Sequence, residues 1–128
     1  PISVEGITIE SFIKKKKIPC IDLLKVDIEG AEIALFNSMS DETLCNIKQI
    51  TVEFHDFIFD ISKEVESIKK RLKSLGFACV VFSMTTNGDV LFINLNKCHI
   101  SILRYVYIQH FAKYVRAFPR LMKRLLNK

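Results

Sequence analysis

A chain of 128 residues with 49% hydrophobic and 10% aromatic content fits one small globular domain and excludes a disordered or fibrous polypeptide. No apolar run reaches the roughly 18 residues that a bilayer span needs, and the start carries no signal-peptide pattern, which points to a cytoplasmic protein. The net charge of +5 is unevenly distributed: residues 1–96 hold all 14 acidic side chains against 11 basic ones, whereas 97–128 hold eight basic residues and no acidic one. We therefore divide the chain into a mildly acidic body, 1–96, and a basic tail, 97–128. Cys20, Cys45, Cys79 and Cys98 lie at wide, irregular intervals that match neither a zinc site nor a disulfide framework, so all four are expected as reduced thiols. The first residue is Pro1, which suggests a processed, excised or partial chain.

In chain order, Thr8 is placed to cap a helix over Ile9–Lys17, with Lys14–Lys17 against its C-terminal dipole and Pro19 as its stop. That lysine run has no interleaved aromatics, so a solvated helix end is preferred over a nucleic-acid site. Ile21–Ile28 is apolar on both faces apart from Asp22, Lys25 and Asp27, and reads as a strand covered by helices on both sides. After Gly30, Ala31–Met39 is helical, Ser40 caps a short turn through Asn46, and Lys48–Phe54 is the next strand. Val65, Ile68, Leu72 and Leu75 line one face of a helix from Ser62 that ends at Gly76. Phe77–Met84 and Val90–Leu95 are strands joined through Asn87-Gly88-Asp89 as an antiparallel hairpin. Strands alternating with helices predict an α/β fold: a parallel sheet whose last strand turns back antiparallel.

Ligands of open parallel sheets bind beyond the carboxyl ends of the strands. Two such ends carry polar clusters: Lys25, Asp27, Glu29 and Glu32 around Gly30, and Glu53, His55 and Asp56. If the two strands are neighbours, both clusters converge on one crevice. A neutral His55 can take a proton from a hydroxyl nucleophile. Alternatively, Asp27, Glu53 and His55 hold a divalent cation that acidifies and orients that hydroxyl. A third reading makes these groups ion pairs and caps, with Asp27 or Glu29 capping the helix after Gly30.

The run I-D-L-L-K-V-D-I-E-G-A-E (Ile21–Glu32) resembles the hallmark segment of the FkbM-family methyltransferases. I-T-I-E-S-F-I (Ile7–Ile13), I-T-V-E-F-H (Ile50–His55), L-G-F (Leu75–Phe77) and N-G-D-V-L-F follow the family order, so the likeness covers about residues 2–95. The resemblance implies the C-terminal half of a Rossmann-like class I methyltransferase sheet, its fourth to seventh strands. It implies S-adenosylmethionine as donor and a hydroxyl acceptor on a sugar or secondary metabolite. Carried over by position, Asp27, His55, Glu53 and Lys25 become the catalytic candidates and Glu29, Gly30 and Glu32 the cofactor-side candidates. The family's glycine-rich loop has no counterpart here, because none of the four glycines forms a G-x-G. The chain alone is therefore expected to be inactive, with no useful cofactor affinity. A non-catalytic remnant acting as an interaction module is the alternative function.

Without its usual neighbour, the Ile21–Ile28 strand is expected to be an open edge that supports dimerisation. Ile102, Val106, Phe111, Val115 and Phe118 form an apolar stripe in the basic tail, kinked or split at Pro119. Such a helix suits peripheral contact with an anionic membrane or docking on another part of the protein, while nucleic acid is disfavoured.

Overall fold

The computed structural model describes residues 6–55, 61–82 and 88–110. Helix α1 (Ile9–Lys16) begins as the sequence predicts: the Thr8 side chain accepts from Ser11 N–H at 3.1 Å. It closes at Lys17, whose φ of 53° stops the helix one residue earlier than expected. Strand β1 (Ile21–Val26) ends two residues before the predicted boundary, leaving Asp27 and Ile28 in a loop. Helices α2 (Glu32–Ser38) and α3 (Asp41–Cys45) follow, the second capped by Ser40 on Thr43 N–H. Then come β2 (Ile47–Glu53), α4 (Ser62–Ser74), β3 (Phe77–Val81), β4 (Asp89–Asn94) and α5 (Ile102–His110). At Gly76 (φ +89°) the chain swings from α4 into β3, and a Cβ there would run into the Asn96 side chain.

The four strands form one mixed sheet in the order β1-β2-β4-β3. β1 and β2 are parallel, with Leu24 opposite Ile50 and Val26 opposite Val52. β4 runs antiparallel to both β2 and β3, so the expected hairpin forms and its second strand inserts between β2 and β3. Its Asn87 turn residue, with Ser83 and Met84 of the predicted strand, lies outside the described residues.

Alternation along the strands gives the sheet two unequal faces. Val26, Ile50, Val52, Phe54, Val90 and Phe92 share the first, where Phe36 of α2 and Val65, Ile68 and Leu72 of α4 join them in one buried core. The Phe36 and Phe54 rings meet at 6.1 Å between centroids. Burying each of these large side chains contributes about 1.5–3 kcal/mol. Ala78, Val80 and Ile93 are buried on the second face, where α5 packs against β3. Toward β1 that face is open: Leu23 is 57% exposed and Gln49 is exposed. The expectation of helices on both faces of β1 thus holds for one face among the described residues, because α5 lies over the opposite edge of the sheet.

Arg71 ties α4 to the end of α2. Its guanidinium donates to the carbonyls of Phe36 at 2.8 Å and Met39 at 2.6 Å, and to Asp41 at 2.8 Å. Arg71→Met strips two helix-end carbonyls of their donor and should cost about 1–3 kcal/mol in urea unfolding. An unchanged midpoint would show that these contacts are idle. The open β1 edge predicts concentration-dependent association in sedimentation velocity, relieved by Leu23→Lys. A clean monomer at high concentration refutes it.

Candidate functional site at the carboxyl ends of β1 and β2

The side-by-side pairing of β1 and β2 brings the two polar clusters to one end of the sheet. Lys25 and Glu53 project from the open face near the strand ends, while Asp27, Glu29 and Gly30 form the loop after β1. Asp56 falls outside the described residues.

The loop is unusual in its backbone. Glu29 and Gly30 are both left-handed, at φ 52° and +99°. For Glu29 that conformation costs about 1–2 kcal/mol. It is held by a carboxylate from below: Glu32 Oε1 accepts from Ile28 N–H at 3.2 Å and from Gly30 N–H at 3.1 Å. The same oxygen lies 2.9 Å from His55 Nδ1. Glu32 is fully buried, and its other oxygen, Oε2, has no hydrogen-bond partner among the described residues. Burial works to raise the Glu32 pKa, but the N–H of Gly30, its own N–H, His55 and the N–H of Ile28 together hold it below the usual carboxylate range. Neither Asp27 nor Glu29 caps α2, because Ala31 is the N-cap and makes no side-chain bond. That corrects the capping reading: the free N–H groups before the helix turn to Glu32 instead.

His55 is 5% exposed, and its pKa is raised, first by its hydrogen bond to Glu32 and then by the charges of Glu32, Glu29 and Glu53 against the opposing effect of burial. With Nδ1 facing Glu32, Nε2 lies 3.4 Å from Glu29 Oε2. Lys25 Nζ meets Asp27 Oδ2 at 2.8 Å. That bond raises the Lys25 pKa and lowers that of Asp27, and Glu53 and His55 add smaller electrostatic contributions.

Ligand atoms of Asp27, Glu29 and His55 all fall within 4.8 Å of one another. Two carboxylates and an imidazole are a donor set suited to a divalent cation. This group shares Asp27 and His55 with the set expected from sequence, and it has Glu29 where Glu53 was expected. Of the residues assigned to the cofactor side, Glu29 is exposed at the rim, whereas Glu32 is turned inward onto His55. At Gly30 a Cβ would meet nothing within 4 Å, so positive φ, and not close approach of a bound group, calls for glycine. The described residues on their own do not make a glycine cradle for S-adenosylmethionine. Sequence reasoning missed the Glu32–His55 pair, although a carboxylate four residues before Phe36, on the buried side of a short helix, signals a buried partner.

A family model described as the methyltransferase FkbM domain matches residues 1–79, which include α1, β1, the whole cluster and α4. The chain belongs to the FkbM methyltransferase family. No curated protein and no solved structure matches it. Within this FkbM chain the described helices include none long and apolar enough to cross a membrane, and its four cysteines are free thiols.

The Glu32–His55 pair gives a signed pH dependence. His55, with a raised folded pKa, contributes stability that is full below its ordinary value of about 6.5 and is lost as pH rises through the folded value. Glu32, with a lowered pKa, contributes stability present above its ordinary value of about 4.5 and lost as pH falls through its folded value. Thermal melting should therefore show a decline on the alkaline side of about pH 6.5 that His55→Gln flattens. Parallel curves for the two proteins across that range would refute the pair.

Proposed function

We propose that this FkbM chain carries the acceptor side of an S-adenosylmethionine-dependent O-methyltransferase, with His55 as the base that deprotonates a hydroxyl of a sugar or secondary metabolite. The observation that carries the reading is the Glu32–His55 bond of 2.9 Å, which commits Nδ1 to a buried carboxylate and orients the ring with Nε2 toward the Glu29 rim. Glu32 acts as a positioning residue: it orients the ring and stabilises the imidazolium formed when the hydroxyl proton arrives on Nε2.

Lys25 and Asp27 offer one donor and one acceptor at the crevice rim, fitted to the vicinal hydroxyls of a glycan-like acceptor. Glu53, exposed beside them, keeps the local potential negative, which favours the imidazolium. S-Adenosylmethionine, when bound, supplies an electrophilic methyl group. A divalent cation would be held by Asp27, Glu29 and the Nε2 of His55, where it would lower the acceptor's pKa.

The reading is tested by methyl transfer from radiolabelled S-adenosylmethionine to a panel of hydroxylated acceptors. The assay is run on the chain alone and with the family's glycine-rich half supplied. His55→Gln should lower kcat by about 10²–10⁴-fold while KM for the donor stays put. Turnover retained in both Asp27→Asn and His55→Gln would sink the site assignment. Donor binding in neither preparation would favour a scaffold that no longer catalyses.

A further inference from the structure

We infer that the cleft between α1, α3 and the start of β1 is a binding site for a free aliphatic α-amino acid, separate from the reaction proposed above. A cavity of about 410 Å³ opens there, a size suited to a small molecule. It lies at the amino end of β1, the far end of that strand from the Asp27 loop. Glu10, Ile13 and Lys14 of α1 face Glu42 and Thr43 of α3 across it. Of the apolar stripe expected in the basic tail, Ile102 and Val106 fall on α5, whereas Phe111, Val115, Phe118 and Pro119 lie outside the described residues.

The lining chooses the ligand. Its apolar part is aliphatic: Ile13, Ile18 and Ile21 are half-buried beside the Cys20 thiol and suit a branched hydrocarbon side chain. Its acidic part is held in place. Glu10 Oε1 accepts from the Ser40 N–H at 2.7 Å and from the Thr43 hydroxyl at 3.0 Å. Hydrogen bonds from Ser40 and then Thr43 keep the Glu10 carboxyl below the usual carboxylate range, so it is ionised at neutral pH. A carboxylate has about four acceptor positions, so these donors do not exhaust it. Glu42 adds a second, exposed carboxylate whose side chain has no ion-pair partner among the described residues. Two carboxylates on one cavity suit an ammonium group. The complement is also present: Lys14, one turn after Glu10, makes no ion pair among the described residues and is left to meet an anion. Asn46 accepts from Lys97 Nζ through Oδ1 at 3.3 Å, which leaves its amide N–H groups as further donors. A molecule that answers all three parts carries an ammonium, a carboxylate and a branched hydrocarbon together, and an aliphatic α-amino acid is the smallest of that class.

The experiment is a titration of the full chain, followed by amide NMR shifts, with L-leucine and two analogues. Isopentylamine lacks the carboxylate and 4-methylpentanoate lacks the ammonium. Leucine is expected to give saturable shifts around Ile13, Ile18 and Asn46. Each analogue should bind about tenfold more weakly, because it strands the charged group that faced the missing one. Lys14→Gln and Glu42→Gln, both at exposed positions, should each weaken leucine roughly threefold with an unchanged melting curve. Alkylation of Cys20 by iodoacetamide, read by mass spectrometry, gives a measurement that needs no variant. Leucine at ten times its half-saturating concentration should slow it about tenfold, while Cys79 on β3 reacts as before. No saturable shift at millimolar leucine, an analogue that binds as tightly as leucine, unchanged affinity in both variants, or an unprotected Cys20 overturns the proposal.

Discussion

The Glu32 carboxylate is the point around which the polar end of the sheet is organised. A charged group with no exposure is tolerable only where donors surround it, and here three converge on one oxygen: two backbone N–H groups of the β1–α2 loop and the His55 ring. Each constraint implies another. The loop must turn left-handed at Glu29 and Gly30 so that both N–H groups point inward, and His55 must follow β2 closely enough to reach α2. Because one residue answers to backbone and side chain together, loop shape and imidazole orientation are not independent variables. Loss of the carboxylate would release the strained Glu29 and free the ring in the same step.

The core underneath explains why this arrangement holds still. Phe36 sits one turn along α2 from Glu32, and Phe54 immediately precedes His55, so the tilted ring contact between the phenylalanines fixes the separation of the two polar partners. Arg71 then anchors the far end of α2 through the carbonyls of Phe36 and Met39. Apolar packing thus sets the distance, and a short charge-assisted hydrogen bond reads it. An imidazole positioned in this way has little orientation freedom left to lose.

Most of the secondary structure was legible because it follows periodicity and capping. Thr8, Ser40 and Gly76 mark boundaries by local chemistry, and the four-residue face of α4 can be read without a partner. A parallel sheet follows from strands alternating with helices and the hairpin from Asn-Gly, whereas the direct pairing of β1 with β2 comes only from the structure. What the sequence hid is tertiary. Nothing in I-D-L-L-K-V states that one face of the strand will be left open, because cover depends on where α5 lands. Nor does the hallmark segment distinguish a carboxylate aimed at solvent from one aimed at a histidine 23 residues later. Glu29, Glu32 and Glu53 are alike in composition; burial alone separates them into a rim group, an inward anchor and an exposed neighbour.

The two chemistries open to the cluster compete for one lone pair. Nδ1 of His55 is held by Glu32, so a proton and a cation would contend for Nε2, which cannot take both at once. The raised pKa of the ring favours the proton, since every unit of elevation makes deprotonation by a metal ion harder. Lys25 tilts the balance the same way, because its bond to Asp27 satisfies a carboxylate that a cation would need. Glu29 is different: it approaches Nε2 at 3.4 Å, and its exposed carboxylate would stabilise either an imidazolium or a metal ion. The cluster is therefore built around a positively charged occupant of that small space. A proton arriving on the imidazole would meet the requirement with groups already in place, whereas a cation would first have to displace Lys25 from Asp27.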